Sequence, residues 1–243
     1  MDSIRLTVTR GERTQTFEVA SGQTLLAALV SIKENDDATL TFGAGCRSGV
    51  CGACAMRVNG REVLACSYKP KEGDMVEPLQ YHPHSRDLKV DKRQAYATLD
   101  TIQTWLHDYN EAALPTPEDE ARTERQSDCI LCDSCYSACP VFAVNGEFAG
   151  PFALTRAFRY VEDVRENDTR SIIDLIQQNG VWDCTLCGEC TAVCPKGIDP
   201  KSDIMQLRAL SVQAGYSDPS FAQQSFGGPD FGGGFGFDPN AGF

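Results

Sequence analysis

Cys129-Ile-Leu-Cys132-Asp-Ser-Cys135-Tyr-Ser-Ala-Cys139-Pro140 returns further along the chain as Cys184-Thr-Leu-Cys187-Gly-Glu-Cys190-Thr-Ala-Val-Cys194-Pro195, at a constant offset of 55 residues (184 − 129 and 194 − 139). Each copy spells C-x2-C-x2-C-x3-C-P. Thiolates at this spacing hold iron–sulfur clusters: three from one run bind one cubane, and the cysteine before proline reaches to the other. The two-residue gaps fold the backbone around a cluster corner and leave its N–H groups free to donate to sulfur. The proline then turns the chain away, because its ring can neither continue a helix nor donate a hydrogen bond. Zinc fits badly, since it takes four ligands, usually as two separated C-x2-C pairs. A disulfide framework belongs to small secreted chains, and Met1-Asp2-Ser3-Ile4-Arg5-Leu6 has no signal-peptide core.

The twelve cysteines of the chain divide into three groups of four. The third group is Phe42-Gly-Ala-Gly-Cys46-Arg-Ser-Gly-Val-Cys51-Gly-Ala-Cys54 with Cys66, spaced C-x4-C-x2-C…C as in plant-type [2Fe–2S] proteins. Glycines 43, 45, 49 and 52 permit positive φ and let backbone amides approach sulfur where a Cβ would obstruct them. Upstream, Ile4–Arg10 and Thr14–Val19 alternate apolar and polar residues around Gly11, which predicts a β-hairpin. Thr24 to Lys33 has helical spacing, with Ser21 or Thr24 as N-cap. Asn59-Gly60 predicts a second hairpin that returns Cys66 to the site. Strand, helix, cysteine loop and hairpin in this order suit a β-grasp ferredoxin domain. Arg47, between two candidate ligands, reads equally as a tuning charge and as an exposed loop residue. His82 and His84 have no ligand spacing and read as surface or interdomain contacts.

At 243 residues the chain has room for two modest domains. Its net charge of −12 and its lack of a basic run argue against nucleic acid and anionic lipid as partners. No apolar run approaches the ~20 residues of a membrane-spanning helix. From Leu88 to Tyr109 the residues predict a helix with Leu99, Ile102, Trp105 and Leu106 on one face. Glu111 to Ala121, acidic and with two prolines, reads as a solvated connection. Further helices are expected from Pro151, with Leu154, Ala157, Phe158 and Val161 inward, from Arg170 to Gln178 ended by Asn179-Gly180, and from Lys201 to Ala214. The Gly/Phe-rich end cannot bury enough surface to fix one conformation alone, although its phenylalanines suit anchoring on a partner. The expected class is therefore α+β. Residues 1–106 form a β-grasp [2Fe–2S] domain, 107–126 a linker, 127–218 an α-helical two-cluster domain, and 219–243 a disordered or partner-bound tail.

This combination resembles the iron–sulfur subunit of the succinate dehydrogenase/fumarate reductase family, over about residues 4–215. Besides the cysteines, the resemblance rests on Arg86-Asp-Leu-Lys-Val-Asp91, Asn145-Gly-Glu-Phe-Ala-Gly-Pro151 and Cys194-Pro-Lys-Gly-Ile-Asp-Pro200. It implies an oxidoreductase subunit without catalytic acid–base residues of its own, wiring a partner flavoprotein (FAD) that handles succinate or fumarate to a quinone or other acceptor. It implies attachment to the cytoplasmic face of the inner membrane through a membrane-anchor or heterodisulfide-reductase-like subunit. It also implies that Cys46, Cys51, Cys54 and Cys66 hold a flavin-side [2Fe–2S] cluster and that Cys129, Cys132, Cys135 and Cys194 hold a middle [4Fe–4S] cluster. The distal cluster falls to Cys139, Cys184 and Cys190, and here the chain departs from the family. Common members lack a cysteine at the position of Cys187 and carry [3Fe–4S]; a fourth thiolate predicts [4Fe–4S] and a lower potential. A quinone pocket is implied near that cluster, but Phe142-Ala143-Val144 departs from the quinone-binding pattern and no quinone residue is assigned. The alternatives are a thiol-dependent fumarate reductase, a flavin hydroxy-acid oxidase with an attached iron–sulfur subunit, and a free-standing soluble carrier.

Overall fold

The computed structural model describes residues 2–220; residues 221–243, on which the reading of the tail falls, lie outside the described residues. β1 (Ser3–Arg10) and β2 (Arg13–Ala20) form the first hairpin, in register from Ser3↔Ala20 to Arg10↔Arg13. α1 (Leu25–Asn35) starts at Thr24, whose hydroxyl accepts the Ala27 N–H, so Thr24 and not Ser21 is the cap. β3 (Ala55–Val58) and β4 (Arg61–Leu64) turn through Asn59 and Gly60, both at positive φ as a two-residue hairpin turn requires. β5 (Met75–Glu77) runs parallel to β1 and antiparallel to β3, giving the order β2-β1-β5-β3-β4. This mixed sheet with α1 across it is the expected β-grasp. The alternating strand residues Leu6, Val8, Phe17 and Val19 meet Leu25, Leu29 and Ile32 of α1 in a closed core. Each such side chain contributes about 1.5–3 kcal/mol by its burial. A short ribbon, β6 (His84–Arg86) with β7 (Lys89–Val90), leads out of the sheet.

The next helix, α2 (Arg93–Thr101), is shorter than the sequence suggests. Its last turn gives way at Ile102 to Gln103, which has φ 49. The chain then doubles back and the buried Glu166 carboxylate accepts the N–H groups of His107 and Asp108 at 2.6 and 3.0 Å. The single stripe from Leu99 to Leu106 is therefore corrected: Ile102 is buried, while Trp105 is 46 % exposed. Most of α2 is exposed, with Ala95 and Thr98 its buried residues. Ala95 and Ile102 pack in the second core, beside Tyr136 and Phe148.

The acidic connection contains a helix that the sequence reading missed. α3 (Pro117–Ser127) begins with a complete capping box between Thr116 and Asp119 and with Pro117 in its first turn. It buries no residue, so its capping is the signal that periodicity could not supply. The helices α4 (Ser134–Ser137), α5 (Pro140–Val144), α6 (Pro151–Val161), α7 (Thr169–Leu175), α8 (Glu189–Ala192) and α9 (Pro200–Gln213) build the second half. α6 turns Leu154, Ala157 and Phe158 inward as expected, against Ile204 and Leu207 of α9.

The two halves meet along a hydrogen-bonded seam. Ser137 donates to Glu62 at 2.7 Å and accepts the Gln80 N–H at 2.9 Å, and the Arg61 guanidinium reaches the Ala192 carbonyl at 3.1 Å. His82 lies against Phe142, with ring centroids 5.9 Å apart, and neither of its ring nitrogens has a hydrogen-bond partner among the described residues. Burial, with the Lys92 charge acting in the same direction and Asp91 opposing, pushes the His82 imidazolium down to about 4. Below the ordinary histidine value near 6.5 the unfolded chain takes up this proton and the folded chain does not. The stability that neutral His82 allows is thus complete above pH ~6.5 and is lost as the pH falls towards 4. His82→Leu is expected to lose less stability than the parent between pH 7 and pH 5. The check is the difference in thermal midpoint at the two pH values; an equal loss in both proteins would refute it.

Candidate functional site

The 55-residue repeat is a repeat of backbone as well as of sequence. Leu131 and Asp133 in the first run have φ 50 and 68, and their counterparts Leu186 and Gly188 have φ 56 and 86. Helices α4 and α8 then start at equivalent positions, Ser134 and Glu189. The left-handed residues coil the chain so that amides face sulfur, as at Leu186 N–H to Cys184 Sγ, 3.4 Å. Glycine takes this conformation at no cost, and aspartate is among the few other residues that tolerate it. The Asp133 carboxylate is fully buried, 3.6 Å from the Lys92 ammonium, and burial raises it to about 7 against the opposing Lys92 charge.

A largely apolar cavity opens between the runs, walled by Cys129, Cys132, Cys135 and Cys194 together with Phe152 and Ile198. Burial pushes the Cys129 thiol up to about 11 and holds that of Cys135 well above its usual value, and in both cases neighbouring cysteines add to the rise. Four thiolates are stable around one dry cavity only with compensating positive charge between them, which coordinated iron supplies. The donor set and the space fit a cluster. Cys139, Cys184, Cys187 and Cys190 form a second group. Cys139 and Cys190 are pushed up first by burial and then by the charges of the others, Cys190 to about 12. Cys187 is the exposed member. The Arg208 guanidinium clamps this run by donating to the carbonyls of Val181, Trp182 and Cys184 at 2.8, 3.2 and 2.6 Å. Sequence reading missed Arg208, which is distant in the chain and carries no motif.

Cys46, Cys51, Cys54 and Cys66 meet beside the β-grasp sheet, Cys66 being delivered by the end of β4. The Ser48 and Val50 amides each lie 3.4 Å from Cys46 Sγ, and the Cys46 N–H lies 3.3 Å from Cys51 Sγ. Hydrogen bonds from the Ser48 hydroxyl, then from these amides, bring the Cys46 thiol down to about 6, whereas burial raises Cys54 to about 11. Only Gly49 and Gly52 of the four loop glycines adopt positive φ. Gly43 and Gly45 are needed for space: a Cβ would stand 2.0 Å from the Ala53 oxygen and 2.8 Å from Cys51 Sγ, respectively. Arg47 takes φ 62 and is exposed. Among the described residues no three His, Cys, Asp or Glu side chains converge on the point a single ion would occupy. Cys129, Cys132, Cys135 and Cys194 instead line a cavity.

Known proteins match this layout. Residues 5–97 match the 2Fe-2S iron-sulfur cluster binding domain, and residues 125–198 match the 4Fe-4S dicluster domain. The fumarate reductase iron-sulfur subunit of Escherichia coli O6:H1 is 40 % identical over 196 residues, which cover 77 % of this chain and 80 % of that subunit. The chain belongs to the family of succinate dehydrogenase/fumarate reductase iron–sulfur subunits. The succinate dehydrogenase iron-sulfur subunit of Paracoccus denitrificans is 35 % identical over 204 residues, 79 % of this chain and 77 % of its own. A solved chain of the Mycobacterium smegmatis Sdh1 complex, 24 % identical, shares the fold with a TM-score of 0.79 over 88 % of this chain and 98 % of that one. The resemblance and the α+β class with its two ferredoxin-like parts are thus borne out.

Proposed function

We propose that this chain relays electrons between an FAD-bearing flavoprotein subunit, which interconverts succinate and fumarate, and a quinone or other acceptor on the membrane side. The carrying observation is the serial arrangement of three cysteine groups, with the β-grasp loop seated against the first cysteine run. In this reading Cys46, Cys51, Cys54 and Cys66 hold [2Fe–2S]; Cys129, Cys132, Cys135 and Cys194 hold [4Fe–4S]; and Cys139, Cys184, Cys187 and Cys190 hold a further [4Fe–4S]. Bound there, the clusters supply one-electron chemistry. The chain's own residues fix the spacing, exclude water and set the local charge. Left-handed loop residues aim amides at the sulfurs, Arg208 secures the last run, and Lys92 places a positive charge beside the middle one. Among the described residues no helix is long and apolar enough to cross a membrane, so the attachment to the cytoplasmic face is assigned to partner subunits. The domain division follows the cysteine groups, at 1–106, 107–126 and 127–218.

The test is anaerobic electron paramagnetic resonance on the natively purified complex. Succinate is expected to reduce clusters, and fumarate added to the reduced complex to reoxidise them. A complex that dithionite reduces but that fumarate leaves reduced would move the assignment to the hydroxy-acid oxidase or the soluble carrier.

A further inference from the structure

We propose that Gly52 is the spacer that sets how closely the first cluster loop approaches the middle one, and thereby the rate at which electrons pass between them. The inference rests on the ligand reading above. Gly52 lies between Cys51 and Cys54 and has φ +68. A Cβ built on it would stand 2.8 Å from both Cα and Cβ of Cys132 and 2.9 Å from the Ile130 oxygen. Real Cβ atoms essentially never come so near. Two of these three neighbours are backbone atoms, so they cannot swing aside as a side chain would. Making room would shift the whole Ile130–Cys132 segment, and the middle cysteine loop with it.

That segment is held to the first domain from several directions. Cys132 is 8 % exposed and packs in the core of the β-grasp domain, with Ile130 against the same cluster. Lys92 Nζ, from the start of α2, donates to the Cys132 carbonyl at 2.7 Å. Tyr96 OH donates to the Leu131 carbonyl at 3.0 Å. The contact through Gly52 is therefore part of a clamp, and the absence of a side chain there lets it close fully. With clusters bound at these cysteines, transfer between them would need no proton and break no bond, a single electron passing from one to the other in either direction. Its rate depends steeply on separation, so a shift of the order of a methyl group matters more to transfer than to either cluster alone.

Gly49 separates this effect from backbone strain. It lies in the same loop with φ +75, but a Cβ there meets only the Ser67 hydroxyl, at 3.4 Å. The experiment compares the natively purified complex with its Gly52→Ala and Gly49→Ala variants, all reduced by dithionite so that no substrate is involved. The readout is the microwave power that half-saturates the [2Fe–2S] signal, which a nearby paramagnetic cluster raises by speeding spin relaxation. Gly52→Ala is expected to lower that power several-fold relative to both the parent and Gly49→Ala, with iron content retained. Equal values for the two variants would overturn the proposal. If Gly52→Ala does not assemble, Lys92→Gln, which loosens the clamp without adding bulk, is expected to lower the power in the same sense, and an unchanged value overturns it. A parent complex without both kinds of signal would instead overturn the ligand reading, a distinguishable failure.

Discussion

Cys187→Ala is expected to convert the distal centre from a four-iron to a three-iron cluster, lowering the iron content from about ten per chain to about nine. The other three members of its group are buried or half-buried, and Cys187 alone is exposed. Removing it leaves the inner thiolates and the Arg208 clamp intact, so the remaining cluster is retained and not lost outright. The iron leaves together with its thiolate, so what changes is the cluster type, which is among the factors that set cluster potentials. The distal potential should therefore rise, and succinate should reduce this centre more completely than in the parent. Anaerobic iron analysis with spectra before reduction provides the check, because a three-iron cluster is paramagnetic when oxidised. An oxidised parent complex that already shows this signal, unchanged in the variant, would remove Cys187 from the ligand set. The exposure of the same corner gives a companion expectation: air should produce the three-iron signal in the parent and add nothing in the variant, since accessible thiolate corners are oxidised first.

The candidate cysteine groups are legible because cluster chemistry is expected to write itself into local spacing. C-x2-C-x2-C-x3-C-P and C-x4-C-x2-C each gather most of their ligands within one turn of loop, so the gap between residues carries geometric information. Hairpins and caps are similarly local: Asn59-Gly60 fixes its turn, and Pro151 opens α6, through backbone preferences that need no distant neighbour. What sequence could not supply was contact between remote segments. Nothing around Gly52 says that Cys132 will lie against it, and nothing around His82 announces Phe142. The end of α2 is set by tertiary structure too, because the carboxylate that gathers the following amides comes from Glu166. α3 is the opposite case. Its capping box was present in Thr116-Pro-Glu-Asp119, but a helix that buries nothing has no apolar period, and a search for periodicity passes over it.

Gly150→Ala is expected to destabilise the helical domain by about 2–5 kcal/mol, combining backbone strain with overpacking. Gly150 precedes α6 with φ 83 and ψ 170, a region that is essentially restricted to glycine. An added Cβ would stand 2.2 and 2.3 Å from Cζ and Cε1 of Tyr136 and 2.5 Å from its hydroxyl. The ring cannot yield easily. Tyr136 is fully buried, with Phe152 and Phe142 at centroid distances of 4.4 and 4.9 Å, and its hydroxyl is bonded to the Ala149 carbonyl and to Thr98 Oγ1. Any escape by the ring pulls on Cys135, its chain neighbour and a proposed ligand of the middle cluster. A loss of this size is a large share of the 5–15 kcal/mol that typically holds a protein folded. The thermal midpoint should therefore fall by about 10 °C, accompanied by loss of middle-cluster iron. Gly215→Ala serves as the control, since it has φ +92 with nothing within 4 Å of an added Cβ. It should show the strain component alone, about 1 kcal/mol, and keep its iron. Equal midpoints in the two variants would mean that the Tyr136 contact costs nothing and that backbone conformation accounts for the glycine.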